Sequence, residues 1–144
     1  MKTMKTITRI KNLTLTVFFA ALITLPLESC KKYPDGPSIS FRTRTARLCQ
    51  TWKIDNAKRN GSDYTSFVTN YQETYLKSGN YSYMWGNLGG TGKWAFQNDD
   101  KEIFVNGVSQ QSSHTLIILR LAENSFWYYY MDGGDKYEFH MIPK

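Results

Sequence analysis

The side chains able to do chemistry in this 144-residue chain are few and scattered. It has two histidines, His114 and His140, and two cysteines, Cys30 and Cys49. His140 follows Glu138 by two positions, so on an extended strand the two share a face about 7 Å apart. Such a pair can orient an imidazole or hold two corners of a metal site. A structural metal site wants about four ligands, and none are spaced to complete this one. His114, after Ser-Gln-Gln-Ser-Ser, is expected in solvent. The stretch Gly86–Trp94 (GNLGGTGKW) has the glycines and lysine of a phosphate loop, but Asn87 and Trp94 break the pattern. It also leads into a strand, so no helix N-terminus is there to meet a phosphate. Asp132-Gly133-Gly134-Asp135 sets two carboxylates in a turn, which hairpin geometry explains without calcium. No serine has the setting of a nucleophile elbow. These residues predict no catalytic site, no metal and no cofactor; a hydrolase working through Glu138 and His140 is the remaining catalytic alternative.

The first thirty residues read as an address. Lys2, Lys5, Arg9 and Lys11 form a basic head, and Leu13–Leu25 is apolar apart from three threonines. That run is shorter than the roughly 20 residues a permanent membrane helix needs, and with its basic head it predicts a secretion signal over residues 1–29. Leu27-Glu28-Ser29-Cys30 resembles the lipobox of bacterial lipoproteins. The resemblance implies that Cys30 becomes the lipidated first residue of the mature chain, a membrane partner held by several acyl chains. Lys31 rather than aspartate after Cys30 favours sorting to the outer membrane. With Cys30 acylated, Cys49 has no disulfide partner and reads as a small buried hydrophobe.

Charge excludes one class of partner. The formal charge of +6 is unevenly placed, and from residue 30 onward basic residues outnumber acidic ones only 14 to 11. Most of that excess lies before Leu48, so the body carries no phosphate-tracking surface and nucleic acid is not an expected partner. Residues 30–47, with Pro34, Gly36 and Pro37 and no sustained periodicity, are expected to be the lipid anchor and a flexible tether. The seventeen residues of the tether, 31–47, reach at most about 60 Å.

From Leu48 the texture changes. Turn signals such as Asn60-Gly61, Ser78-Gly79-Asn80, Asn98-Asp99-Asp100 and Gly133-Gly134 recur every 8 to 12 residues, and short aromatic or β-branched runs lie between them. Strands are expected near 51–58, 70–77, 80–86, 92–97, 102–106, 113–121, 125–131 and 135–142. Residues 63–69 are expected to form a short helical turn with Phe67 closing the core. The fold class is therefore all-β, an eight-stranded antiparallel up-and-down barrel over residues 48–144. Alternation puts Tyr137, Phe139 and Met141 on one face and Glu138 and His140 on the other. Residues 125–131 (SFWYYYM) are aromatic on both faces, so one aromatic strip points outward, where it meets the chain ends or a partner.

LCQTWKID (48–55), GKWAFQ (92–97) and the hairpins after them resemble the lipocalin-like domains of small bacterial lipoproteins. The resemblance implies a calycin-type barrel with a tryptophan across its floor. Trp52 stands in that place without the preceding glycine, while Gly92-Lys93-Trp94 keeps the full triplet. An eight-stranded barrel is just wide enough to be filled by side chains or to hold one small ligand. Trp52, Trp94, Phe96, Phe104, Tyr128, Tyr137 and Phe139 are the expected interior rings, either as plain core or lining a site for a small hydrophobic or aromatic molecule. Outward Trp127 and Tyr129 are the candidates for docking an envelope protein, the alternative function without an internal ligand.

Overall fold

The computed structural model describes residues 32–37, 39–107 and 113–144; the expected signal segment and Cys30 lie outside them. One short helix, α1 (Arg44–Leu48), precedes nine strands. They are β1 (Thr51–Arg59), β2 (Ser62–Asp63), β3 (Tyr71–Tyr75), β4 (Asn80–Trp85), β5 (Leu88–Gln97), β6 (Glu102–Asn106), β7 (His114–Leu121), β8 (Phe126–Asp132) and β9 (Asp135–Pro143). Each strand from β3 onward pairs antiparallel with its successor, and β1 pairs with β9 from Trp52 opposite Pro143 to Arg59 opposite Tyr137. The meander therefore closes on itself as an eight-stranded antiparallel barrel, with β2 a two-residue hairpin on the end of β1. Closure satisfies both edges of the sheet and leaves none to template aggregation.

The turn residues account for the connections. Asn60-Gly61 and Gly133-Gly134 have positive φ at both positions, the backbone that a tight two-residue hairpin demands. The glycine-rich stretch before Trp94, expected as a loop, is mostly strand: β5 begins at Leu88, which faces Trp85 across Gly86-Asn87. Gly89 lies so close to β4 that a Cβ there would sit 3.0 Å from the Tyr83 carbonyl oxygen. A side chain would push the two strands apart.

The barrel has two unlike ends. At one end, α1 and the β3–β4, β5–β6 and β7–β8 turns close the base. Leu48 and Trp52 are fully buried there, and the Trp52 indole N–H donates to the Leu48 carbonyl at 2.9 Å. Trp52 also packs against Phe126 with ring centroids 5.6 Å apart. The Trp94 indole N–H donates to the Leu76 carbonyl at 2.9 Å, and Phe96 meets Trp94 edge-on. Parts of the leader expected as a free tether lie against this base instead. Tyr33 is 2% exposed and its hydroxyl donates to the Asp100 carbonyl at 3.0 Å. The Asp35 amide donates to the Leu119 carbonyl at 2.9 Å, Lys32 pairs with Asp99, and Arg44 pairs with Asp100. The reason is local: Asn98, Asp99 and Asp100 all take left-handed φ, a costly conformation for residues with a Cβ. Three leader side chains hold that turn in place.

Two further expectations change. Phe104 lies on the outer side of β6, because Ile103 and Val105 take the buried positions. Phe67 does not close the core: it is 66% exposed and stacks on Tyr64, while Val68 is buried. Because Trp52 is fully buried in the base, Trp52→Ala lowers unfolding free energy by about 3–5 kcal/mol. Phe104→Ala costs clearly less. Urea denaturation followed by far-UV circular dichroism measures both.

Candidate ligand pocket and the carboxylate beneath it

The open end is built by the β1–β2–β3 connection, the β4–β5 and β8–β9 hairpins and the start of β7. It holds a cavity of about 320 Å³. Inward positions of four strands supply its walls: Tyr71 of β3, Tyr83 of β4, Tyr130 of β8, and Tyr137 and Phe139 of β9. Beyond Lys53, β1 and β3 are no longer partners, and the chain from Tyr64 to Val68 fills the gap. The Tyr64 amide donates to the Ala57 carbonyl at 2.8 Å, and the Thr65 hydroxyl receives the Ala57 amide at 2.9 Å. Tyr64 and Val68 thus become a side wall, while Trp85, Leu88 and Asp132 form the rim. Larger hollows elsewhere, such as one of about 560 Å³ at Thr51, Gln72 and Thr74, lie along outward-facing strand residues. The mouth is shaped mainly by interior side chains.

Its rings meet at steep angles, which makes a box of them. Tyr64 and Tyr137 lie at 70°, Tyr71 and Phe139 at 55°, and Tyr130 and Phe139 at 83°, all with centroids within 6 Å. Tyr130 stacks on Tyr137 at 5.3 Å. His114 is half-buried in the wall, 4.5 Å from the Tyr130 ring, and not in solvent as its sequence context suggests. Burial lowers its pKa below the usual value, a shift only partly offset by the charge of Asp132.

Beneath the floor lies a group that the sequence reading passed over. Glu73 is 2% exposed, inside the barrel, and four phenols donate to its carboxyl. Tyr71, Tyr81 and Tyr128 reach Oε1 at 2.8, 3.1 and 2.9 Å, and Tyr75 reaches Oε2 at 2.8 Å. Tyr71 belongs to both assemblies: its ring lines the cavity and its hydroxyl serves Glu73. Burying a carboxyl is costly unless its oxygens are satisfied, and here both are. Burial raises the Glu73 pKa above the usual value, and the four phenol hydrogen bonds pull against that rise. The same burial, with Glu73 alongside, raises the pKa values of Tyr75, Tyr81 and Tyr128.

The expected ligand residues therefore separate by depth. Tyr137 and Phe139 line the cavity; Tyr128 lies below it on Glu73; Trp52, Trp94 and Phe96 belong to the closed base. On the outside, Trp127 stacks flat on His140 at 4.2 Å with the Arg120 guanidinium 5.1 Å from its ring, and Lys136 covers Tyr129 at 4.4 Å. The expected Glu138–His140 contact exists, at 3.0 Å, within a web that adds Lys58 and Lys136. Burial pushes the Glu138 pKa up, but its partners outweigh that and hold it below the usual value. This web lies on the outer face, away from the cavity. Among the described residues no group of three His, Cys, Asp or Glu could hold a metal ion. Cys49 is half-buried, and burial raises its thiol pKa.

No protein-family model matches the sequence, and no curated protein matches it significantly. Among solved structures, the chain is similar to the crystal structure of a DUF4847 family protein from Bacteroides vulgatus ATCC 8482. The TM-score is 0.50 at 10% identity, over 67% of this chain and 93% of that one. At that identity the likeness is one of fold.

Glu73 yields a pH prediction. The folded state holds its proton more tightly than the unfolded chain does, so its contribution to stability is complete below the unfolded value near 4.5. The contribution is lost as pH rises from there through the raised folded value. Glu73→Gln abolishes this decline in urea titrations run at successive pH values. Glu73→Ala, which strips four buried phenols of their acceptor, costs about 3 kcal/mol or more.

Proposed function

We propose that the protein is a lipid-anchored envelope protein of the outer membrane. Its barrel is of the lipocalin-like kind carried by small bacterial lipoproteins, and its mouth binds a small hydrophobic or aromatic molecule. The observation that carries the ligand reading is the cavity of about 320 Å³ walled by inward-facing rings. It falls at the lower end of the roughly 300–1,000 Å³ range of small-molecule sites. The aromatic side chains divide the interior between them: rings at the base form core, and rings at the mouth are left around a space. The lipid anchor rests on the lipobox-like Leu27–Cys30.

Docking of an envelope protein through Trp127 and Tyr129 has less support. Each of those rings already has a cation over it, and Trp127 is stacked on His140. Hydrolysis through Glu138 and His140 has less still, because both contact lysine or aromatic partners on the outer face, away from the mouth cavity.

Native mass spectrometry of the full protein purified in mild detergent tests the ligand. The expected result is a non-covalent small molecule released on denaturation and displaced by Tyr137→Trp, which fills the mouth. A ligand-free protein whose Trp85 fluorescence is unmoved by envelope extracts would remove the reading. Radioactive palmitate should label the wild-type chain and not Cys30→Ser; equal labelling of the two would sink the anchor.

A further inference from the structure

We propose that the ligand taken by the mouth is a small organic cation, an alkylated ammonium group being the chemistry that fits. This rests on the mouth being a ligand site, and it follows from what its walls offer. Seven of the eleven lining residues are Tyr, Trp or Phe, and neither lysine nor arginine is among them. The one fully charged group in the described lining is the carboxylate of Asp132. Burial disfavours the charged form of His114.

The nearby cations are already committed. Arg59 is paired with Asp135 at the tip of the β8–β9 hairpin, so the two charges cancel. Lys58 and Lys136 turn to Glu138 on the outer face. Asp63, by the β1–β2 turn, accepts hydrogen bonds from Thr65 and keeps its negative charge. The charge left in the lining itself is therefore the Asp132 carboxylate.

The rings act in the same direction. An aromatic face is the negative pole of a quadrupole and attracts a cation within about 6 Å of the ring centroid, most strongly where water is excluded. Tyr71 commits its hydroxyl to Glu73, so what it presents to the cavity is ring. The protein already shows this attraction on its own rim, where the Arg59 guanidinium lies 5.5 Å from the centroid of Tyr137. A fatty acid or other anion would meet aromatic rings, phenol hydroxyls, His114 and a carboxylate here, with no lysine or arginine in the lining to offset its desolvation. An alkylated ammonium group, only weakly hydrated, would meet a box of rings with a counter-charge at its rim.

Three probes of one shape and different charge decide the matter: choline, 3,3-dimethyl-1-butanol and 3,3-dimethylbutanoate. Each is titrated into the full protein in detergent, with Trp85 fluorescence and calorimetric heat as readouts. Choline should bind about tenfold tighter than the alcohol, the size a partly desolvated cation–π site supports. The carboxylate should bind weakest of the three. Asp132→Asn, an exposed substitution, should lower choline affinity severalfold without changing that of the alcohol. Tyr137→Leu should cut the choline preference while keeping an apolar wall. If the alcohol or carboxylate binds as tightly as choline, the cavity is a ligand site with no taste for cations, and the inference fails alone. If none of the three gives heat or a fluorescence change, the inference and the ligand reading fall together.

Discussion

The pairing of β1 with β9 is the constraint on which the rest depends. Once Trp52 to Arg59 is laid along Tyr137 to Pro143, eight strands form a ring, and the diameter of such a ring is set by its strand number. Interior space is then fixed, and the side chains must divide it. Large rings take the base, where Trp52 packs on Phe126 and Tyr75 bridges Phe126 to Trp94. A polar layer follows, in which four tyrosines enclose Glu73. Only above that layer does the chain run short of bulk, and the mouth cavity is what remains.

The polar layer explains why the barrel is neither a plain hydrophobic plug nor a through-tube. A carboxyl with four phenol donors fixes the rotamers of Tyr71, Tyr75, Tyr81 and Tyr128 together, because any ring that swings away leaves a buried oxygen unsatisfied. The floor of the cavity is thereby rigid. A rigid floor and walls reduce the ordering cost of binding a small guest, which suits a pocket more than a moving gate.

Much of this was legible in the sequence. The strand pattern, the hairpins and the all-β closure follow from period-two alternation punctuated by Asn-Gly, Asp-Gly and Gly-Gly pairs, and these signals are local. Glycines hid part of β5, since Leu88–Gly92 has no side-chain pattern to read and its pairing is imposed by β4. The leader misled for the opposite reason: Lys32 to Leu48 is polar and rich in prolines, yet it is held by the strained Asn98–Asp100 turn some 60 residues away in sequence. Such partners leave no local trace. Glu73 was within reach. In YQETY (71–75) the glutamate shares a strand face with two tyrosines that alternation places inside, and a charge on a core face is a signal in itself. The division of rings between base and mouth was not legible, because it depends on the depth of each inward position along a tilted strand.

The leader has a mechanical meaning as well. Lys32, Tyr33 and Asp35 grip the barrel at its sealed foot, at the pole opposite the rings of Tyr64, Tyr130 and Tyr137. The described part of the leader thus braces the sealed pole and supplies none of the residues that line the mouth, so strain introduced at the one need not reach the other.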